Sequence, residues 1–265
     1  MIIKKRIFFF DVDETLFSNE KGKILSQTKK LILSLYNKKN IILGIATGRN
    51  YHNLDVLKDI LFCFKYFVLA NGSFTMENDK IIDQNPIPKE YIIDILNKIN
   101  LFKYKIAVAN IGSHQEALFY NGDTSNLPLI QYWQKKFDLP IDNLLHLKKK
   151  IFLMNLFSQN NDQIKQLLKE FNCFNVYFWQ NHVDLTMNNI NKYYGIKKIK
   201  EKYPDYELVC VGDGCNDKEM LAKADISVVM GNSEYDEIKK NSDFIAPHIE
   251  ENCIFDFFKK NNLID

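Results

Sequence analysis

Ile7-Phe8-Phe9-Phe10-Asp11-Val12-Asp13-Glu14-Thr15 is an apolar run that ends abruptly on clustered carboxylates. Far along the chain the pattern recurs, with Glu207-Leu208-Val209-Cys210-Val211 running into Gly212-Asp213-Gly214-Cys215-Asn216-Asp217. A short apolar run without alternation reads as a strand buried on both faces, as in a parallel sheet. In open α/β sheets, ligands bind just beyond the carboxyl ends of such strands. Asp11, Asp13, Asp213 and Asp217 gathered there would repel one another and resist desolvation unless a cation neutralised them. An all-oxygen donor set of that kind suits Mg²⁺.

Strand and helix patterns alternate around both motifs. After the first run come a helix over 27–38, a strand over 41–46, a helix over 51–61 and a strand over 66–69. From Lys192 the alternation resumes, with strands over 207–211, 226–230 and 243–245 separated by helical stretches. Alternating βα units joined by short turns predict a parallel sheet with helices on both faces, an α/β, Rossmann-like core. The middle is different: strands over 104–109, 115–120, 151–157, 174–179 and 182–186, with helices over 89–99 and 162–171, predict an α+β domain on an antiparallel sheet. The expected organisation is a core of residues 1–77 and 189–265 with an insertion at 78–188, hinged near 78–88 and 187–191, where Asn, Asp and Pro concentrate.

Composition narrows the class. A formal net charge of +2 gives no strong attraction to nucleic acid or an anionic membrane, so neither is an expected partner. The five cysteines lack any C-x-x-C spacing, which argues against a zinc site or disulfide framework and suits a reducing compartment. Lys4-Lys5-Arg6 precedes the first apolar run, but four residues are too few for a signal peptide's core, and no run approaches transmembrane length. A cytoplasmic protein is expected. Oligomeric state leaves no trace in the sequence.

An aspartate can attack phosphorus to form an aspartyl-phosphate, and a second carboxyl can protonate the leaving oxygen and later deprotonate water. Asp11 and Asp13, two apart at a strand end, could divide those roles, or could simply form a strand-to-loop turn. An EF-hand loop does not fit, because Leu16 stands where that loop needs glycine and Cys215 where it needs Asp or Asn. Thr47-Gly48-Arg49 after the second strand could cradle a phosphate or merely cap a turn. Lys192 could neutralise a phosphoryl group or be a solvated surface charge. Asp213 and Asp217 could bind metal or favour a helix N-terminus through its dipole.

The order of these elements resembles the haloacid dehalogenase superfamily. Asp11-Val12-Asp13-Glu14-Thr15-Leu16 resembles its first motif, Thr47-Gly48-Arg49 the second in its Cof-type (subclass IIB) form, and Asn191-Lys192 the third. The stretch from Gly212 to Leu221 resembles the fourth, and Asn71-Gly72 and Met230-Gly231-Asn232 also look like the Cof pattern. Glu14 departs from that pattern, standing where these phosphatases usually carry glycine. The resemblance implies Asp11 as nucleophile and Asp13 as general acid and base, with Thr47, Gly48, Lys192 and Asn216 on the substrate. It further implies Mg²⁺ held by Asp11, the Asp13 backbone carbonyl and Asp213, with Asp217 and Asn216 in support, and a cap between the second and third motifs.

The implied activity is hydrolysis of small phosphorylated metabolites, such as sugar phosphates or phosphorylated cofactors. A phosphosugar mutase would share the nucleophile but must grip a second phosphate, for which arginine is best suited. Arginine occurs only at positions 6 and 49, never within 78–188. A non-catalytic phosphometabolite-binding protein would be free to lose the nucleophile or acid, and every such position is filled. Cys215 reads as a small buried filler, and the aromatics Phe119, Tyr120, Trp133 and Trp179 as core of the insertion.

Overall fold

A computed structural model of the chain describes residues 4–119, 131, 140–159, 161–180 and 182–264. In chain order its strands are β1 (Arg6–Phe10), β2 (Ile41–Ala46), β3 (Tyr66–Leu69), β4 (Phe74–Glu77), β5 (Lys80–Gln84), β6 (Ala107–Ile111), β7 (Glu116–Phe119), β8 (Leu153–Phe157), β9 (Phe174–Phe178), β10 (Val183–Met187), β11 (Glu207–Gly212), β12 (Ile226–Val229) and β13 (Phe244–Ile245). The chain forms two compact units, one of residues 1–49, 53–83 and 191–265, the other of 50–52 and 84–190.

The first unit is a doubly wound α/β layer structure built on an eight-stranded sheet of order β13-β12-β11-β1-β2-β3-β4-β5. From β13 to β3 neighbouring strands run parallel, and β4 turns back antiparallel on β3. All of β1 is buried, as a strand covered on both faces must be. Ile7 and Phe9 share a core with Val68, Cys210, Met220 and with Ile196 and Ile199 of the helix Lys192–Lys200. Phe8, whose side chain alternates to the other face, meets Phe258 of the helix Ile254–Lys260. That helix packs on Ser26–Tyr36, which buries Leu31, Ile32 and Leu35 at helical spacing. β1 lies between β2 and β11, so the chain diverges to either side of it and opens a crevice beyond its carboxyl end.

Two local expectations are corrected. The helix expected over 51–61 is instead 3₁₀ structure at His52–Leu57 and Leu61–Cys63. Its buried residues Leu54, Leu57 and Ile60 recur every third position, the repeat that a 3₁₀ turn aligns. The stretch expected as a hinge over 78–88 also carries a strand the sequence reading omits, β5, an edge strand of Lys, Ile and Asp that is largely solvent-facing and so lacks the apolar signature of its neighbours.

The second unit is an antiparallel sheet of order β7-β6-β8-β10-β9. Val108, Met154, Leu156, Val183 and Leu185 point to one face, where Ile92, Ile95 and Ile99 of the helix Lys89–Leu101 and Ile164 and Leu167 of Asn161–Leu168 cover them. Tyr120, Trp133 and the side chain of Phe119 lie outside the described residues. Trp179, expected in the core, is half-buried and stacks on His182 at 6.1 Å between ring centroids. Among the described residues no helix is long and apolar enough to cross a membrane.

Candidate active site

Asp11 extends the β1–β11 ladder by one step, its N–H donating to the Val211 carbonyl at 2.9 Å. The chain then turns tightly: the Val12 carbonyl accepts from the N–H groups of Leu16 (2.9 Å) and Phe17 (2.8 Å). To make that turn Glu14 takes a left-handed φ of 55°, the region where glycine carries no penalty. The departure at position 14 therefore falls on a backbone conformation that suits the residue it replaces. Asn232 secures the turn by donating to the Glu14 carbonyl at 2.9 Å and accepting the Ile249 N–H at 3.0 Å.

Lys192 begins its helix under the cap of Asn191, whose side chain accepts the Tyr194 N–H at 2.9 Å. Its ammonium is completely buried and donates to Asp11 Oδ1 and Asp217 Oδ1, each at 2.6 Å. Asp217 is equally buried, and its second oxygen accepts the backbone N–H groups of Asp213 and Gly214 at 2.9 Å. Gly212 makes room for it, because a Cβ there would lie 2.5 Å from Asp217 Oδ2. Among the described residues the Asp213 carboxylate receives one side-chain hydrogen bond, from the Thr15 hydroxyl at 2.9 Å. The reading of Lys192 as a solvated surface charge is thereby excluded.

Beyond β2, the Thr47 hydroxyl accepts the Arg49 N–H at 3.2 Å, and the Thr47 carbonyl accepts the Asn71 N–H at 3.0 Å. Gly48 faces the Asn71 side-chain oxygen, which accepts from Asn216 Nδ2 at 2.8 Å. Among the described residues Asn216 Oδ1 is buried without a hydrogen-bond partner, an orphan acceptor. Thr47 thus does cap a turn, and the same turn brings it beside the motif from the far end of the chain. Arg49, to which the sequence reading assigns no role, forks onto Asp13: Nε to Oδ2 at 2.9 Å and Nη2 to Oδ1 at 2.7 Å. The available signal was compositional, since a lysine-rich chain keeps arginine at two positions. Cys215 is half-buried beside Tyr235 and does not fill the core.

Burial pushes the Asp11 carboxyl up to about 7, reinforced by Asp217 and Asp13 and opposed by Lys192. Asp213 is likewise raised well above the carboxylate range by burial and by its neighbours Asp11 and Asp217. Burial would raise Asp13 as well, but the Arg49 hydrogen bonds and charge outweigh it and hold that carboxyl low. Lys192 loses hydration, yet Asp11 and Asp217 more than compensate and raise it. Oxygens of Asp11, Asp213 and Asp217 come within 4.8 Å of one another, close enough to share a metal ion. When ionised, three carboxylates against the Lys192 ammonium leave two negative charges among oxygen donors, the complement of a hard divalent cation. The donor set fits.

Known proteins give the same fold and a family. The family model for haloacid dehalogenase-like hydrolases matches residues 8–258. The Bacillus subtilis protein YkrA, which carries a provisional phosphatase name, is 27% identical over 260 residues, covering 94% of this chain and 95% of its own. The 5-amino-6-(5-phospho-D-ribitylamino)uracil phosphatase YcsE of Bacillus subtilis is 22% identical over 248 residues, covering 91% and 89%. Among solved structures, the subclass IIB sugar phosphatase BT4131 superposes with a TM-score of 0.82 at 24% identity, covering 98% of this chain and 100% of its own.

Proposed function

The chain belongs to the haloacid dehalogenase-like hydrolases, and on that premise we propose that it is a Mg²⁺-dependent phosphatase of small phosphorylated metabolites. The observation that carries the reading is the buried Lys192 ammonium shared between Asp11 and Asp217, with Asp13 two residues from the first. Lys192 occupies Asp11 Oδ1, so Oδ2 is the oxygen that attacks phosphorus. As the ester P–O bond breaks, Asp13, having first taken up a proton against the pull of its Arg49 pair, gives that proton to the leaving oxygen. Asp13 then takes a proton from water, whose oxygen attacks the aspartyl-phosphate and releases Asp11 and inorganic phosphate. Thr47, Gly48, Lys192 and Asn216 hold the phosphoryl oxygens, with the orphan Asn216 Oδ1 turned to a hydroxyl of the substrate or a water. Asp11, Asp213 and the Asp13 carbonyl would hold Mg²⁺, with Asp217 and Asn216 in support. Bound there, Mg²⁺ offsets repulsion between a carboxylate nucleophile and an anionic phosphoryl group.

In this reading residues 78–188 form a specificity cap. The names of YkrA and YcsE and the sugar-phosphatase neighbour support a phosphomonoester substrate of metabolite size, sugar phosphates and phosphorylated cofactors being the first to screen. The absence of arginine from 78–188 favours hydrolysis over mutase chemistry. Five free cysteines support work in a reducing, cytoplasmic setting. The test is Asp11→Asn, assayed with an aryl phosphate and with a metabolite panel. Activity should fall below about a hundredth of wild type, since loss of the covalent step removes several kcal/mol of barrier lowering. Retention of more than about a hundredth would reject the aspartyl-phosphate route.

A further inference from the structure

We propose that Arg49 is a positioning residue for Asp13, fixing the direction in which that carboxyl exchanges its proton; the inference rests on the reading of Asp13 as general acid and base. The contact is a planar fork on a planar group, with 2.9 Å and 2.7 Å bonds to the two carboxylate oxygens. Such a pair fixes both the place and the plane of a carboxylate, which a point charge does not. The third guanidinium nitrogen, Nη1, donates to the Asn53 carbonyl at 2.9 Å, so the fork is braced from behind. Arg49 is also tied through its backbone: its carbonyl accepts the Ala70 N–H at 3.0 Å and its N–H donates to the Thr47 hydroxyl at 3.2 Å.

The exposure of the two partners shows which one is the anchor. The Arg49 side chain is 14% exposed and that of Asp13 is 40% exposed. Asp13 is only partly covered, so its direction is set by the fork more than by packing around it. With all three nitrogens of Arg49 engaged within the protein, its fork is committed to Asp13 and not to a ligand. The chain's other arginine, Arg6 at the opposite end of β1, is used differently, with one bond to Glu207 at 2.9 Å and another to the Leu263 carbonyl at 2.7 Å.

Proton delivery matters most when the leaving group is basic, and this dependence tests the proposal. Arg49→Lys and Arg49→Ala should be compared with wild type on phenyl phosphate and on 2,4-dinitrophenyl phosphate, whose leaving group needs no proton. Because Asp13 also deprotonates the attacking water in the second step, the readout is the single-turnover rate of leaving-group release: roughly tenfold to a hundredfold slower on phenyl phosphate, changed by less than about threefold on the activated ester, with little change in KM. Arg49→Lys keeps the stem and the charge, so it carries the test if the alanine variant does not fold. Asp13→Asn is the reference and should show the same selectivity. If Asp13→Asn is selective but the Arg49 variants lose equally on both esters, or lose only in KM, Arg49 does not position Asp13 and the acid–base reading stands. If Asp13→Asn itself loses equally on both esters, the acid–base reading fails and this inference with it.

Discussion

Gly72 and Asn191, far apart in sequence, pack so closely that a Cβ on Gly72 would sit 2.0 Å from the Asn191 carbonyl oxygen. Asn191 caps the helix that Lys192 opens, so this contact decides where the buried ammonium lies.

Gly72→Ala should therefore damage stability and activity together. It forces a side chain onto a φ of +98° and into backbone that cannot yield cheaply. A loss of about 3 kcal/mol or more is expected in denaturant unfolding, with kcat falling at least about tenfold. Gly22→Ala is the comparison: its φ is +62° but nothing lies within 4 Å of the added Cβ, so about 1 kcal/mol is expected. Equal costs at the two positions would show that the approach of Asn191 is unimportant.

At position 14 the backbone prefers glycine and the side chain earns part of that back, since Glu14 Oε1 accepts the Asn19 N–H at 3.0 Å. Glu14→Gly relieves the left-handed strain but loses that bond and adds freedom to the unfolded chain. A net change within about 1 kcal/mol and near wild-type kcat is expected. Glu14→Val, β-branched at the same φ, should cost about 2 kcal/mol more than Glu14→Gly. If valine were as well tolerated as glycine, the turn would have rearranged.

The raised carboxyl of Asp11 gives a pH signature in metal-free protein. Its folded value of about 7 exceeds its ordinary 3.8, so the folded state holds a proton that the unfolded state has released between those limits. Stability from this group is present below pH 4 and is lost as pH rises towards and through 7. Asp11→Asn cannot ionise and escapes that loss. In chelator, its unfolding free energy relative to wild type should climb between pH 5 and pH 8, by an amount on the order of a few kcal/mol, and its relative Tm with it. A relative Tm that falls over the same range would mean that the Lys192–Asp11 pair outweighs desolvation of the carboxylate.

Metal supply should control both activity and stability. Chelator should abolish hydrolysis and Mg²⁺ restore it, whereas Ca²⁺, with its larger ligand number and longer bonds, should inhibit by engaging both oxygens of the attacking carboxylate. At a hundredfold excess over Kd, Mg²⁺ should stabilise the protein by about 2.7 kcal/mol, a Tm rise of roughly 5–10 °C. Asp213→Asn should weaken that thermal shift. Undiminished activity in excess chelator would rule out a metal requirement.

Much of this architecture was legible from sequence because its signals are local. Apolar runs buried on both faces, carboxylates at their ends and helical spacing between them specify a parallel sheet and the order of its motifs without reference to distant residues. The misreadings arose where the local signal was weak or carried another period: β5 is an exposed edge, and the buried residues at Leu54, Leu57 and Ile60 repeat every third position, a spacing shared by α and 3₁₀ helices.

What the sequence by itself determined is the alternation of elements, and with it the delivery of Asp11, Thr47 and Asp213 to neighbouring strand ends. Only the tertiary structure decided that Lys192 is wholly buried between Asp11 and Asp217, that Arg49 forks onto Asp13, and that Glu14 carries a left-handed turn. Lys192 reaches Asp11 across 181 positions of sequence. Burial and ion pairing at such separations depend on everything packed around both groups, and no window along the chain contains those neighbours.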